Sequence, residues 1–414
     1  MSKLAPSRGL KHLRISDLRG VVQLTTQATM SVTKITEGVH QSVWSTLGIP
    51  GGNEPGQTRG LTGLVYKSIY AITQLVGTGA DKLLEKQLPL LAFLDENKVD
   101  TPERRAVLSA LNGVMGDQLA ANNNQFATSM TFYYQQNALN WPDLTIKPEV
   151  TGKVLLMIHG LCMNDRQWCC KHDDGEVDHG QMLSSELGYT PIYLRYNSGL
   201  HISQNGRELA AQLELLVENW PTPIEELAVV AHSMGGLVTR SAVHYGKQEA
   251  LRWPSLMKNI VFLGTPHHGA PLERAGNKLD VILGSTPYTA PFTKLSKLRS
   301  SGITDLRYGH VVDEDWQEAD RFECRPDGRY AVPLPEGIAC YTVAATTASQ
   351  RGLLVDRLVG DGLVPLRSAL GFHDSDEHNL VFSESSQHIF YQMNHMELLS
   401  SRNVTHQILK WLSP

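Results

Sequence analysis

Ala231-His232-Ser233-Met234-Gly235 sets a serine hydroxyl among small neighbours, after the apolar run Leu227-Ala228-Val229-Val230 and before the helix-compatible segment Leu237 to Tyr245. A strand, a tight turn centred on serine and a helix make a nucleophile elbow, in which close backbone approach pushes the hydroxyl out above the sheet edge. Position 231 departs from the usual glycine. Alanine lacks the freedom of glycine at positive φ, so the motif requires Ala231 to keep an ordinary strand conformation.

A serine hydroxyl is a poor nucleophile at neutral pH. It needs an imidazole to accept its proton and a carboxylate to hold that imidazole in the right tautomer. On a sheet of this kind the chain order is serine, acid, histidine. Gly360-Asp361-Gly362-Leu363-Val364-Pro365 places a carboxylate in a glycine-flanked turn, and Asn394-His395-Met396-Glu397-Leu398-Leu399 places an imidazole in a polar loop before the terminal helical segment. His388 is the nearest rival to His395; His373 and His378 lie in a hydrophilic run that reads as a solvated loop, and His406 lies further on. Asp356 is the nearest rival to Asp361, followed by Asp374 and Asp376. Charge that develops on a substrate oxygen needs fixed donors. The Met234 amide, next after the serine, is one candidate. The Leu161 amide, in the loop His159-Gly160-Leu161 after the Val154 strand, is the other. His159, Gly160, His232 and His267, the last in the loop Gly264 to Gly269, are candidates for lining the pocket, with the histidines orienting loops rather than transferring protons.

Other chemistries fit less well. His172, Asp173, Asp174, Asp178 and His179 include metal-ligand types, but their spacing matches no ligand pattern and reads as a solvated polar loop. Cys162 has no marked base and reads as a small buried apolar residue. No metal or cofactor is expected.

The elements that must carry these residues are legible in the periodicity. From about Thr128, β-compatible runs at Thr131 to Tyr134, Val154 to Ile158, Ile192 to Tyr196, Leu227 to Val230, Ile260 to Leu263 and Cys340 to Ala344 alternate with helical stretches. That alternation predicts an α/β fold with a mostly parallel central sheet flanked by helices. Val404 to Leu412 reads as a terminal helix. Residues 1–127 are mainly helical. Leu18, Val21, Val22, Ala28, Val32, Ile35, Val39 and Val43 form one apolar stripe, with Ser16 as its N-cap. Leu61, Leu64, Ile69, Ile72 and Leu75 form a second, and Thr101-Pro102 opens a third helix. Residues 128–414 form the catalytic domain, and the stretch of about 271–335, rich in Pro, Gly, charge and aromatics, reads as a cap or lid insertion.

Composition narrows the function further. The 414 residues, 41% of them hydrophobic, suffice for a large core. A net charge of -5 with no basic run gives no field for a nucleic-acid backbone, so nucleic acid is not an expected partner. Five cysteines are an odd number for a disulfide framework. With no signal-peptide pattern and no span of largely apolar residues, the expected location is cytoplasmic. Oligomeric state is not legible.

The segment ending in HGLCM, the AHSMGG elbow, the LGTPHHG loop, the GDGLVP turn and the NHMELL segment together resemble the α/β-hydrolase superfamily, most closely its bacterial lipase and carboxylesterase branches. The resemblance covers roughly Thr128 to Pro414. It implies a serine carboxylic-ester hydrolase, acting through an acyl-enzyme with Ser233, Asp361 and His395 as triad and the Leu161 and Met234 amides as oxyanion hole. The implied substrate is a hydrophobic ester, with polyesters included if the pocket is open. An acyltransferase using the same triad and a noncatalytic binding protein on a hydrolase fold are the alternatives. The amphipathic N-terminal helices have two readings: packing against the sheet domain, or capping the site with transient contact to a lipid interface.

Overall fold

The structure is a computed structural model that describes residues 14, 17–46, 57, 60–91, 100–140, 150–172, 175–270, 299–317, 327–349 and 360–413. The chain forms two compact units. One comprises residues 1–104 and 119–126, and the other residues 105–118 and 127–414.

The second unit is built on an eight-stranded sheet: β1 (Thr131–Tyr134), β2 (Asn137–Ala138), β3 (Lys153–Ile158), β6 (Thr190–Arg195), β7 (Glu226–His232), β8 (Met257–Leu263), β9 (Ala339–Thr346) and β10 (Gln387–Tyr391), in the order β10-β9-β8-β7-β3-β6-β1-β2. A separate hairpin pairs β4 (Cys169–His172) with β5 (Gly175–Asp178). The six strands from β6 to β10 in that order run parallel, and the β1-β2 hairpin adds an antiparallel edge. Parallel strands are covered on both faces, which is why β3 and β7 read as continuous apolar runs rather than alternating ones.

Alternate residues of β3 feed two cores. Val154, Leu156 and Ile158 pack with Leu209 and Leu213 of helix α5 (Ile202–Asn219) and Leu237 and Val238 of α6 (Met234–Gln248). Leu155 and Met157 face the opposite way, with Leu183 of α4 (His179–Leu187) and with Val404 and Ile408 of the terminal helix Arg402–Leu412. Each fully buried aliphatic chain contributes roughly 1.5–3 kcal/mol, so the central strands are anchored from above and below. The fold is α/β, a mostly parallel sheet flanked by helices on both faces.

In the first unit, α1 (Asp17–Thr46) and α2 (Gly60–Leu91) approach closely where Gly77 meets Thr26, and Arg19 pairs with Asp81 at 2.7 Å. Helix α3 (Pro102–Ala121) opens as its sequence predicts, with the Arg104 amide donating to Thr101 Oγ1 at 3.2 Å. Ser16, the expected cap of α1, lies outside the described residues. Five stripe positions behave unlike a buried face: Leu18, Val21, Ala28, Ile72 and Leu75 are exposed, the last by 75%.

Two other readings need correction. The edge strand β10 and the β4-β5 hairpin were not expected; each is only four or five residues long. The His172 to His179 segment is therefore no simple solvated loop; His179 is fully buried at the start of α4. Within the expected insertion, residues 271–298 and 318–326 lie outside the described residues, whereas Ser300 to Leu306 are buried within the second unit.

Candidate active site

Ser233 sits between β7 and α6 with φ 55° and ψ -126°, a conformation that side chains rarely adopt. Such a residue stores of order 1–3 kcal/mol of strain and persists only where its surroundings fix it. Here the Ser233 amide donates to Leu263 O at 2.8 Å, and the Gly236 amide donates back to Ser233 O at 3.0 Å. Ala231 is fully buried in β7, opposite Ile158 and Phe262, and is not among the residues at positive φ. The methyl group is tolerated for the reason its sequence context required. Gly235 is not replaceable in the same way, since a Cβ there would lie 2.6 Å from His159 O and 2.7 Å from Ile158 O. Between Leu227 and Val243 every residue except Ser233 is buried. The turn leaves one side chain partly open to solvent, and that side chain is a hydroxyl.

Asp361 and His395 are brought together although 34 residues separate them. The His395 Nδ1–H donates to Asp361 Oδ2 at 2.6 Å, and the His395 amide donates to Asp361 O at 3.0 Å. The other carboxylate oxygen, Oδ1, accepts from the Leu363 amide at 3.0 Å and the Val364 amide at 2.8 Å. Both groups are buried, so the pair acts in a low-dielectric setting where such bonds are strong. The turn depends on its glycines. Gly362 has φ 99°, and a Cβ on Gly360 would collide with Val364 O.

Two further contacts fix the imidazole beside the elbow. Gly264, at φ 58°, leaves room for the ring, since a Cβ there would lie 3.1 Å from His395 Cε1 and Nδ1. His232, next before Ser233, stacks obliquely on it with ring centroids 4.5 Å apart and donates Nε2–H to His395 O at 3.1 Å. Burial, followed by the nearby His395, holds the His232 pKa well below the ordinary histidine value. His232 is therefore a neutral donor to the His395 carbonyl.

The loop after β3 approaches the same point. A Cβ on Gly160 would lie 2.9 Å from Ser233 Cβ and 3.3 Å from His232 Nδ1, so only glycine lets the loop come this close. His159 donates Nδ1–H to Gly160 O at 2.8 Å and stacks on Tyr196 at 4.4 Å, and burial drives its pKa down to about 4. Leu161 is buried, and the next residue, Cys162, turns the chain at φ 60° with its amide donating to Ser198 Oγ at 3.1 Å. Burial pushes the Cys162 thiol up to about 12, which keeps it protonated and unfit as a nucleophile.

Residues that sequence reasoning did not single out buttress this loop. A Cβ on Gly113 of α3 would meet Cys162 Sγ, and one on Gly116 would meet Asn197 Oδ1. Asn197 donates to Gly116 O at 2.9 Å, Ser300 donates to Gly113 O at 2.6 Å, and Asn164 donates to Ser109 Oγ at 3.0 Å. The signal available in the sequence was the i, i+3 spacing of Gly113 and Gly116, which marks a helix face built for close approach.

Residues 149–410, more than half of the chain, match the family described as the PGAP1-like alpha/beta domain. The chain belongs to that family. No curated protein matches it. Solved structures similar to this PGAP1-like domain include the mature form of Bacillus licheniformis lipase BlEst2, at 17% identity over 64% of this chain and 93% of that one, with a TM-score of 0.39. A lipase-esterase related protein from Clostridium acetobutylicum is similar at 10% identity over 69% and 100% of the two chains, with a TM-score of 0.36. Staphylococcus hyicus lipase is similar at 15% identity over 65% and 97%, also with a TM-score of 0.36.

The rival residues of the PGAP1-like domain lie in other settings. His388 is in β10 with its ring against Phe390, and burial followed by Lys410 lowers its pKa. His406 is exposed on the terminal helix. His373 Nε2 is 3.5 Å from Asp327. Asp374 is exposed and pairs with Arg367 at 2.8 Å, Asp376 is exposed, and Asp356 lies outside the described residues. His179 uses both ring nitrogens, on Thr405 Oγ1 at 2.7 Å and Leu398 O at 2.8 Å, which leaves neither for a metal. Asp173 and Asp174 lie outside the described residues, among which no cluster suited to a metal ion occurs. His267 is buried against Phe262 and Phe382 and lines a cavity whose walls include none of Ser233, Asp361 and His395. Among the described residues no helix is long and apolar enough to cross a membrane.

Proposed function

We propose that the protein is a carboxylic-ester hydrolase in which Ser233, His395 and Asp361 act as nucleophile, general base and orienting acid. The observation that carries this reading is the buried Asp361–His395 bond at 2.6 Å, held beside a strained serine that alone stays open in a buried run. Asp361 fixes the proton of His395 on Nδ1, so Nε2 is the basic nitrogen offered to the serine. His395 takes the Ser233 proton as Oγ attacks the ester carbonyl. The Met234 and Leu161 amides stabilise the oxyanion. The proton then passes to the departing alcohol, leaving an acyl-Ser233 ester, and a water deprotonated by His395 returns the free serine and a carboxylic acid.

The substrate class we infer is a neutral, hydrophobic carboxylic ester. Exposed Leu18, Val21, Ile72 and Leu75 support transient contact with a lipid interface. A panel of p-nitrophenyl esters of increasing chain length, run beside emulsified triglyceride and a solid polyester, tests the class. Interfacial contact requires the triglyceride rate to rise once emulsion forms. Ser233→Ala should abolish turnover and labelling by an organophosphonate while the thermal transition stays in place. Substantial residual hydrolysis by folded variant would overturn the nucleophile.

A further inference from the structure

A second chemical feature lies apart from the triad. Arg240, on α6, is only 6% exposed, and among the described residues no carboxylate lies within 4 Å of its guanidinium. One Nη donates to Val332 O, while Nε is buried with no hydrogen-bond partner. His267, 1% exposed, has neither ring nitrogen partnered. A buried charge and buried donors left unsatisfied are costly, and native structures almost always supply a partner.

Both residues line one cavity, together with His268, Arg329 and Val332. The surrounding charges leave it positive. Arg329 pairs with Asp327 at 3.3 Å and donates to His268 Nδ1 at 2.8 Å. Asp315 lies near both arginines, but its oxygens accept from the Tyr330, Val311 and Val312 amides. Burial, followed by the Arg329 charge, lowers the Arg240 pKa to about 9, so the guanidinium is still protonated at neutral pH. The same burial, with Arg240 next, keeps His267 neutral, with one N–H to donate. The cavity encloses about 230 Å³ including its mouth, most of it too narrow for a water-sized particle to move in. That is room for one small particle.

We propose that this cavity is a binding site for a monatomic anion of halide size, with the Arg240 Nε–H and a His267 N–H as its donors. A halide supplies the missing charge and accepts from several directions at once, and it fits where a tetrahedral oxyanion does not. The site is independent of the ester chemistry.

The test is thermal unfolding of the full chain at constant ionic strength, with sodium gluconate replaced stepwise by chloride, bromide or sulfate. Chloride and bromide are expected to raise Tm by a few degrees per tenfold in concentration above Kd, as linkage to the folded state requires. Sulfate should leave Tm at its gluconate value. Arg240→Gln should remove the halide dependence. A Tm indifferent to the anion, an equal rise in sulfate, or an unchanged halide dependence in the variant overturns the proposal. Should Arg240→Gln fail to fold, His267→Phe is read in the same way, and bromide anomalous scattering from crystals of the unaltered protein decides: a peak in the cavity supports the site and an empty cavity overturns it.

Discussion

Asp361→Asn isolates what the acid does, because the structure dictates how the new amide must lie. Oδ1 of Asp361 accepts two backbone amides, from Leu363 and Val364. An asparagine can satisfy both only with its carbonyl oxygen at that position. Its NH2 then occupies the place of Oδ2 and faces His395 Nδ1, 2.6 Å away in the native pair. Two donors cannot share one bond, so His395 must carry its proton on Nε2. That tautomer cannot accept a proton from Ser233. The geometry survives while the base is lost, and the expected fall in kcat is about 10⁴-fold, equivalent to about 5.4 kcal/mol of transition-state stabilisation. The assay is steady-state hydrolysis of a short-chain p-nitrophenyl ester at pH 7, with the thermal transition as a control for folding. A folded Asp361→Asn enzyme within about tenfold of the native kcat would refute the tautomer argument and the role assigned to Asp361.

Gly160→Ala should place a methyl group 2.9 Å from Ser233 Cβ, well inside van der Waals contact. A displacement of the loop or the serine by up to about 1 Å predicts a fall in kcat on the order of 10²-fold; turnover within about threefold of native would show that the loop does not set the geometry. Burial lowers the pKa of both His159 and His179 to about 4. Each group binds a proton more readily unfolded than folded between that value and the ordinary 6.5, so stability is full above pH 6.5 and is lost as pH falls toward 4. Each histidine contributes a slope of up to about 1.4 kcal/mol per pH unit in that window. Urea unfolding at pH 7 and pH 5 measures the slope; His179→Gln should reduce it by about one histidine's share, and an unchanged slope would contradict the buried neutral state.

Much of the candidate site's geometry was readable because its determinants are local. The elbow and the glycine-flanked turn at Asp361 are each encoded within a few residues, and the order of serine, acid and histidine follows from the sheet topology. Parallel strands such as β3 announce themselves by unbroken apolar runs. The less legible parts depend on distant partners. Gln387–Tyr391 is only five residues long, and it is its parallel pairing with the edge of β9 that marks it as a strand. His179 read as part of a solvated polar loop, yet it is buried and its two partners are more than 200 residues away. The apolar positions of α1 and α2 were read as stripes that either pack on the sheet domain or meet a lipid interface, and five of them are exposed. Periodicity states that a stripe exists, not that anything covers it.

Gly113 and its neighbours on α3 have a consequence for how the molecule is made. The carbonyl of Gly113 takes its bond from Ser300, 187 residues later, and that of Gly116 from Asn197, 81 residues later. A segment synthesised early thus finds its partners only after most of the sheet has left the ribosome. During that interval its small-residue face has nothing to pack on, and closing so long a loop is slow. The loop carrying Leu161 would be among the last parts of the second unit to become rigid, so ester turnover during refolding should appear after the helical signal has recovered.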